Sequence, residues 1–137
     1  MAATVLLVLA AAGMSEASDR LKQRTFQFAL EVIELARTFP KTEPGPTVCR
    51  QLTRSATSVG ANYRAACRAR SHAEFTSRIA LVAEEADESQ YWLSLAAGAR
   101  LTIADMLPKL QQEASELCAI FSRSASTARQ HVRAQKP

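Results

Sequence analysis

Apolar residues recur every three or four positions along most of this chain, with polar and charged residues between them. That spacing is typical of amphipathic α-helices, whose apolar stripes face a common core. We find no alternation of apolar and polar residues followed by a hairpin turn, the pattern that predicts β-strands. The spacing predicts four helices, over about 18–37, 47–68, 71–98 and 105–128. We therefore expect an all-α protein, an antiparallel up-down-up-down four-helix bundle.

Residues that cap or interrupt helices mark the limits of these segments. The clearest is the S-x-x-E capping box that begins at Ser71, in which the serine and the glutamate satisfy backbone N–H groups reciprocally. Other predicted helix starts and ends are marked by residues that are preferred at helix caps, in turns or beside prolines. They are Ser18 or Asp19, Pro40, the turn-rich stretch 41–46, Gly98, Asp105 and Pro108.

Two of the predicted helices carry two apolar stripes each. One stripe is enough for a monomeric bundle, so a second predicts either deep burial or contact with another subunit. In the first helix the stripes are Phe26, Ala29, Leu30, Ile33 and Ala36, and Leu21, Phe28, Val32 and Leu35. In the third they are Phe75, Ile79, Val82, Ala86, Ser89 and Leu93, and the mixed set Leu81, Glu85, Glu88, Trp92 and Leu95.

The stretch 2–12 is apolar and uncharged, but it is too short to span a bilayer. It can be interpreted as the apolar part of a signal peptide or as an over-extended or disordered N-terminus. The absence of a preceding Lys or Arg favours the second interpretation. We therefore divide the chain into a disordered or mis-annotated extension at 1–16, a bundle at 17–128, and a basic flexible tail at 129–137.

The second predicted helix has a basic outer face. Arg50, Arg54, Arg64 and Arg68 fall within an arc of about 80° at 100° per residue. The apolar residues Leu52, Ala56, Val59, Tyr63 and Ala66 lie on the opposite side. Gly60 and Ala61 are small, and we expect another helix to approach closely there.

Charge is distributed unevenly, although the net charge of +4 is mild. Residues 50–78 contain six arginines and a single acidic residue, whereas 84–88 contain four acidic residues. Two interpretations remain open: contact with phosphates, or ion pairs between helices. We assign the structural ion pairs to Arg54, Arg64, Glu85 and Glu88. We assign nucleic-acid binding to Arg50, Arg68 and Arg70, with Arg129 and Arg133 of the tail as a second patch.

Three segments carry a resemblance to a known family. They are 51–66, which contains R-S-x-x-S-x-x-A-N from Arg54 to Asn62, then 68–75 and 84–93. Together they resemble the four-helix bundle family of 23S rRNA-intervening-sequence proteins. The resemblance implies an antiparallel bundle, often assembled as a ring of five. Similar bundles are accessory subunits of diversity-generating retroelements, where they bind a reverse transcriptase and nucleic acid. No catalytic residue is implied.

Candidate catalytic and metal sites are weak in this sequence. The acidic cluster Glu84, Glu85, Asp87 and Glu88 spreads around most of the helix circumference, and neither histidine lies in the Glu-x-x-His motif of a carboxylate bundle site. No P-loop or nucleophile motif appears with supporting context. We therefore predict no enzyme, no metal and no cofactor.

Cysteines and aromatic residues favour structural roles. The three cysteines, Cys49, Cys67 and Cys118, lack C-x-x-C spacing, which favours reduced, buried thiols and a cytoplasmic location. Tyr91 and Trp92 have the chemistry to stack on bases, but helical spacing favours packing at an interface.

We expect a bacterial, cytoplasmic, non-enzymatic homo-oligomer, a pentamer by resemblance, with no membrane association. Its basic surface would bind RNA, DNA or a nucleic-acid enzyme such as a reverse transcriptase. The alternative is a purely structural protein–protein adaptor without affinity for nucleic acid.

Overall fold

Helices account for most of the chain in a computed structural model that describes residues 2–137, with side chains from residue 16 onward. In chain order they are α1 (Ala2–Ala36), α2 (Gly45–Cys67), α3 (His72–Gly98) and α4 (Met106–Ala134). No strand occurs in this part of the chain, so the prediction of an all-α protein with four helices is confirmed.

Two predicted helix limits are wrong. The first helix was expected to begin near residue 18, but α1 begins at Ala2. The fourth was expected to end near residue 128, but α4 continues to Ala134. The interpretation of 1–16 as an extension falls largely on residues 1–15, whose side chains lie outside the described residues. That interpretation and the flexibility of 129–137 stay predictions.

The capping box at the start of α3 is present with one change. Ser71 accepts a hydrogen bond of 3.0 Å from the backbone N–H of Glu74, as predicted. The Glu74 carboxylate accepts from the N–H of Arg70, also at 3.0 Å, rather than from the serine itself. At the other end Gly98 is the last helical residue, and the left-handed conformation falls on Arg100, with a φ of 55°.

The core lies where the four helices meet. α3 packs extensively against α2 and α4, while α1 packs against α2 and less extensively against α4. Removal of large apolar side chains from water is the main driving force for this packing. The largest fully buried apolar residues are Phe28, Phe121, Leu35, Leu52, Ile79, Leu93, Leu110, Leu117, Val32, Val59 and Val82.

Only one of the two apolar stripes on α1 and α3 is buried. Phe28 of α1 and Ile79 of α3 are each 1% exposed. In contrast, Phe26 and Leu30 of α1 are 57% and 43% exposed. Deep burial of both stripes within one chain therefore does not occur, and contact of the second stripe with another subunit stays a prediction.

Three polar side chains are buried among residues 16–137, and each has a hydrogen-bond partner. Ser89 Oγ of α3 lies 3.1 Å from Ser55 Oγ of α2. Thr25 of α1 donates to the carbonyl of Leu21 at 2.9 Å. Across residues 16–137, no buried side-chain nitrogen or oxygen lacks a hydrogen-bond partner. None of the described helices has the length and apolar character needed to cross a membrane.

Candidate nucleic-acid interface

The arginines of α2 lie on its exposed face, opposite the core. Arg50, Arg54, Arg64 and Arg68 are all exposed, whereas Leu52 on the opposite side is fully buried. This division follows from the amphipathic pattern, because each apolar residue that enters the core turns the intervening arginines outward.

The predicted nucleic-acid-binding arginines do not form one continuous patch. Arg50 lies in the first turns of α2, where its guanidinium is 3.4 Å from the Thr47 hydroxyl. Arg68 follows the last residue of the same helix. Eighteen residues of helix separate them, which is about 27 Å. Arg50 is therefore at one end of the molecule, and Arg68 and Arg70 are at the other.

Three arginines meet where α2 ends and α3 begins. Arg68, Arg70 and Arg78 line one cleft of about 410 Å³, together with Ala65 and Glu74. We call this the arginine cleft. Among the described residues, none of its three guanidiniums lies within 4.0 Å of a carboxylate. Sequence reasoning counted Arg78 but did not assign it to the site. Glu74 and Arg78 are four residues apart on α3, a spacing that would have placed both on one face of that helix.

Arg129 and Arg133 lie at the same end of the molecule as the arginine cleft. The His72 imidazole at the start of α3 is 3.3 Å from the carbonyl oxygen of Ala128 on α4. Arg129 shares a groove between α3 and α4 with the acidic residues Glu84 and Asp87. Nearby carboxylates lower the local potential, so the surroundings of Arg129 are less favourable for an anion than those of the cleft, which holds one carboxylate beside three arginines.

The ion pairs predicted between α2 and α3 are not direct contacts. Neither Arg54 nor Arg64 lies within 4.0 Å of Glu85 or Glu88 in the described part of the chain. Glu88 instead accepts a hydrogen bond of 3.2 Å from the Trp92 indole N–H. Arg54 and Arg64 remain exposed, and an exposed side chain gains little from forming an ion pair.

Glu85 is nevertheless electrostatically perturbed. Burial raises the pKa of its carboxyl group, and repulsion from Glu88 adds to that increase. Arg54, which lies more than 4.0 Å away, opposes the increase through its positive charge. The net direction is upward because desolvation of the carboxylate is the largest of these effects.

An ion-pair cluster that sequence reasoning missed links α1 to α4. Arg24 donates to Glu113 through Nε and to Glu116 through Nη2, each at 2.6 Å. The pKa of the Arg24 guanidinium is raised, and the hydrogen bond to Glu113 is the largest cause of this increase. Glu113 and Glu116 are one turn apart on α4, a spacing that indicates a shared partner but does not identify which helix supplies it.

Gly60 of α2 lies close to α1. A Cβ atom placed on Gly60 would be 3.2 Å from Thr25 Oγ1 and 3.4 Å from Thr25 Cβ. Ala61, predicted to pack closely as well, is exposed. Both residues line an apolar groove of about 360 Å³ between the two helices, which we call the α1–α2 groove. Its other walls include the exposed stripe of α1, namely Phe26, Ala29, Leu30 and Ile33.

A second exposed apolar surface lies on α3. Leu81, Tyr91 and Leu95 are 40%, 58% and 38% exposed, and we call them the α3 ridge. Tyr91 contacts the half-buried Trp92 edge to face, with ring centroids 5.0 Å apart. The ridge and the α1–α2 groove belong to different helices.

The cysteines are free, but none of them is fully buried as predicted. Cys67 is exposed, whereas Cys49 and Cys118 are half-buried. The Cys67 sulfur lies 3.2 Å from Ser18 Oγ, which in turn lies 3.5 Å from the Tyr63 hydroxyl. Burial is the main cause that raises the pKa of Tyr63.

Within the residues that the structure describes, no three His, Cys, Asp or Glu side chains are arranged to hold a metal ion. The absence of a metal, a cofactor and a catalytic activity stays a prediction.

Comparison with known proteins identifies the family. Residues 19–123 match the family described as 23S rRNA-intervening sequence protein. The chain belongs to this family. The matched region starts within α1 and ends within α4, so it contains the arginine cleft and Arg50, while Arg129 and Arg133 lie beyond it.

A solved structure has the same fold as this 23S rRNA-intervening sequence protein. It is a protein of unknown function from the S23 ribosomal protein family of Bacteroides thetaiotaomicron VPI-5482, with a TM-score of 0.71 and 24% sequence identity. The similarity covers 80% of this chain and 97% of the other. No curated protein matches the sequence.

Proposed function

We propose that this protein is a non-enzymatic, homo-oligomeric antiparallel bundle that binds RNA or DNA electrostatically through the basic end formed by α2 and α3. The observation that carries the proposal is the arginine cleft, where Arg68, Arg70 and Arg78 converge without a carboxylate within 4.0 Å among the described residues. A planar guanidinium that is not paired within the protein is well suited to the geometry of a phosphate.

Contacts between α1 and α4 support the antiparallel arrangement. Thr38 at the end of α1 lies 2.6 Å from Thr102, hydroxyl to hydroxyl, just before α4. Arg24, earlier in α1, contacts Glu113, later in α4. A backward step along one helix therefore corresponds to a forward step along the other, as antiparallel neighbours require.

The two exposed apolar surfaces support self-association. A groove on one face and a ridge on another favour a heterologous contact, in which the ridge of one chain enters the groove of the next. Such contacts generate a ring if the rotation closes. We propose a pentamer, the assembly that the family resemblance implies. A ring would repeat the arginine cleft once per chain and would bind a polyanion multivalently.

The proposed binding is weakly specific for sequence. Contacts with phosphates position a nucleic acid without reading its bases, and their affinity falls steeply with salt. In this proposal the protein acts in the bacterial cytoplasm, and a reverse transcriptase is a candidate partner.

The α3 ridge and the modest net charge of +4 favour a second candidate function, a protein–protein adaptor. In that case the exposed apolar residues contact a different protein and the arginines have no nucleic-acid partner. The two candidates differ in a single observable, the affinity for nucleic acid at low salt.

Titration of labelled RNA and DNA tests the proposal, at about 50 mM and about 200 mM salt. We expect the wild-type protein to bind both polymers and the affinity to fall at the higher salt. The double variant Arg68→Glu/Arg70→Glu should bind at least about tenfold more weakly, because two phosphate contacts become repulsive.

The matched control is Lys41→Glu/Lys109→Glu, which makes the same change of charge with two exposed lysines near the other end. It should retain most of the affinity. Both variants must keep the oligomer mass and helicity of the wild type. If the wild type binds neither polymer at low salt, the adaptor function takes precedence. If both double variants lose affinity equally, the binding depends on net charge alone and not on the arginine cleft.

A further inference from the structure

A groove on the other flank of α3 offers aromatic surface beside the arginine cleft. It has a volume of about 410 Å³ and is lined by His72, Phe75, Arg123, Thr127 and His131, together with Ser124 and Ala128. The His72 ring centroid is 4.6 Å from that of His131 and 6.2 Å from that of Phe75. We call this the aromatic groove. Both histidines are exposed, so their rings are accessible to a ligand.

The groove is built by the contact between the start of α3 and the end of α4. His72 is held there because its Nε2 lies 3.3 Å from the Ala128 carbonyl oxygen. His131 is held by Gln135, whose amide nitrogen lies 3.1 Å from its Nε2. The Arg123 side chain has no carboxylate within 4.0 Å in the described residues. Flat rings next to an unpaired cation are the features that hold a nucleobase and its phosphate.

The first turns of α3 separate this groove from the arginine cleft. Glu74 and Arg78 of α3 line the cleft together with Arg70, which precedes the helix, while His72 and Phe75 line the groove against α4. A helix with its side chains is about 10–12 Å across. A strand that crosses α3 could therefore leave phosphates in the cleft and insert a base into the groove within a few nucleotides.

Glu74 is the one acidic side chain lining the cleft. Its Oε2 accepts the backbone N–H of Arg70 at 3.0 Å, so the carboxylate is engaged by the backbone at the start of α3. The arginines outnumber it by three to one, and the balance of charge in the cleft stays positive.

We propose that this end of the bundle binds single-stranded RNA or DNA, with phosphates in the arginine cleft and an unpaired base stacked in the aromatic groove. The inference deepens the proposed function and depends on it. In a duplex the bases are already stacked and paired, so only the phosphate part of the site can be used. The protein should therefore prefer a single strand to a duplex.

The test compares single strands of about 16 nucleotides with duplexes of the same length, in RNA and DNA, by fluorescence anisotropy on the full chain. The variant His131→Ala removes an exposed ring near the end of α4 and should weaken single-strand binding about fivefold or more, without affecting the duplex. His131→Phe should restore the affinity, because it keeps a flat ring. Arg70→Ala/Arg78→Ala should weaken both forms and reduce the salt slope by about two.

Lys41→Ala/Lys109→Ala is the control for loss of two positive charges and should leave the preference for a single strand over a duplex unchanged. Equal or tighter binding of the duplex by the wild type would overturn the inference while leaving the proposed function intact. Equal loss of single-strand and duplex affinity in His131→Ala would also overturn the inference. A third contradicting result would be that inorganic tripolyphosphate, at the same phosphate concentration, competes as effectively as a single strand. Absence of any binding to either form would instead contradict the proposed function itself.

Discussion

Single residues at the contact between α1 and α2 determine how closely these helices approach. Gly60 offers no side chain, and Thr25 faces it from α1 with its hydroxyl. That hydroxyl is hydrogen-bonded to the carbonyls of Leu21 and Lys22, at 2.9 Å and 3.1 Å, so the threonine is not free to turn away. A glycine in the middle of a helix costs up to about 1 kcal/mol relative to alanine. The close approach to Thr25 is the compensation.

Replacement of Gly60 should separate the effect of helix propensity from the effect of close packing against Thr25. Gly60→Leu should lower the free energy of unfolding by about 1–3 kcal/mol, because the added atoms overpack the contact with Thr25. Gly98→Leu is the matched control, since a Cβ atom there would have nothing within 4 Å. The control should raise stability by up to about 1 kcal/mol through helix propensity. Chemical denaturation measures both, and a more stable Gly60→Leu protein with unchanged oligomer mass would show that the contact is not tight.

Whole helices were predicted more reliably than the contacts between them. Apolar periodicity indicated four helices, and the capping box at Ser71 located the start of α3, because both depend on neighbouring residues. The partner of a charged side chain depends instead on distant parts of the chain. Arg24 contacts α4, which its own helix does not reveal, and Arg54 faces Glu85 without reaching it. The arginine cleft was predicted only in part. Arg68 and Arg70 were assigned, but Arg78 was not, because the turn between α2 and α3 determines which face of α3 lies beside the end of α2.

Glu85, which lies on α3 near Arg54 of α2, gives a prediction about how stability depends on pH. The pKa of Glu85 is raised above its ordinary value of 4.5, mainly by burial. Its ionised form is therefore less favourable in the folded state than in the unfolded state, which costs stability above the raised pKa. This cost disappears as the pH falls through the raised pKa towards 4.5.

Glu85→Gln should therefore raise the melting temperature at neutral pH, and the advantage over wild type should shrink to nothing in acid. Asp87→Asn, at an exposed carboxylate on the same helix, is the control and should give no such gain. Thermal unfolding followed by circular dichroism across this pH range measures the difference. A Glu85→Gln protein that is less stable than wild type at neutral pH would mean that attraction to Arg54 outweighs burial.

At the scale of the whole molecule, a single chain is a modest ligand for a polyanion. Its net charge is +4, and the arginines that were predicted to bind nucleic acid are divided between two ends. The proposed assembly would change this, because each added chain would contribute another arginine cleft and binding would become multivalent. It would also cover Phe26 and Leu30 of α1 and the α3 ridge, which a monomer leaves in water. The proposed multivalent binding therefore depends on self-association through these surfaces.

Light scattering coupled to size exclusion tests that claim most directly. The wild-type protein at tens of micromolar should have a mass that is a multiple of 14.9 kDa, about five times for the proposed pentamer. Phe26→Glu, in the α1–α2 groove, should reduce the mass to that of one chain while the helicity is retained. Ile103→Glu, at an apolar residue that is 97% exposed outside both surfaces, should leave the assembly intact. A wild-type mass of 14.9 kDa under these conditions would contradict the account.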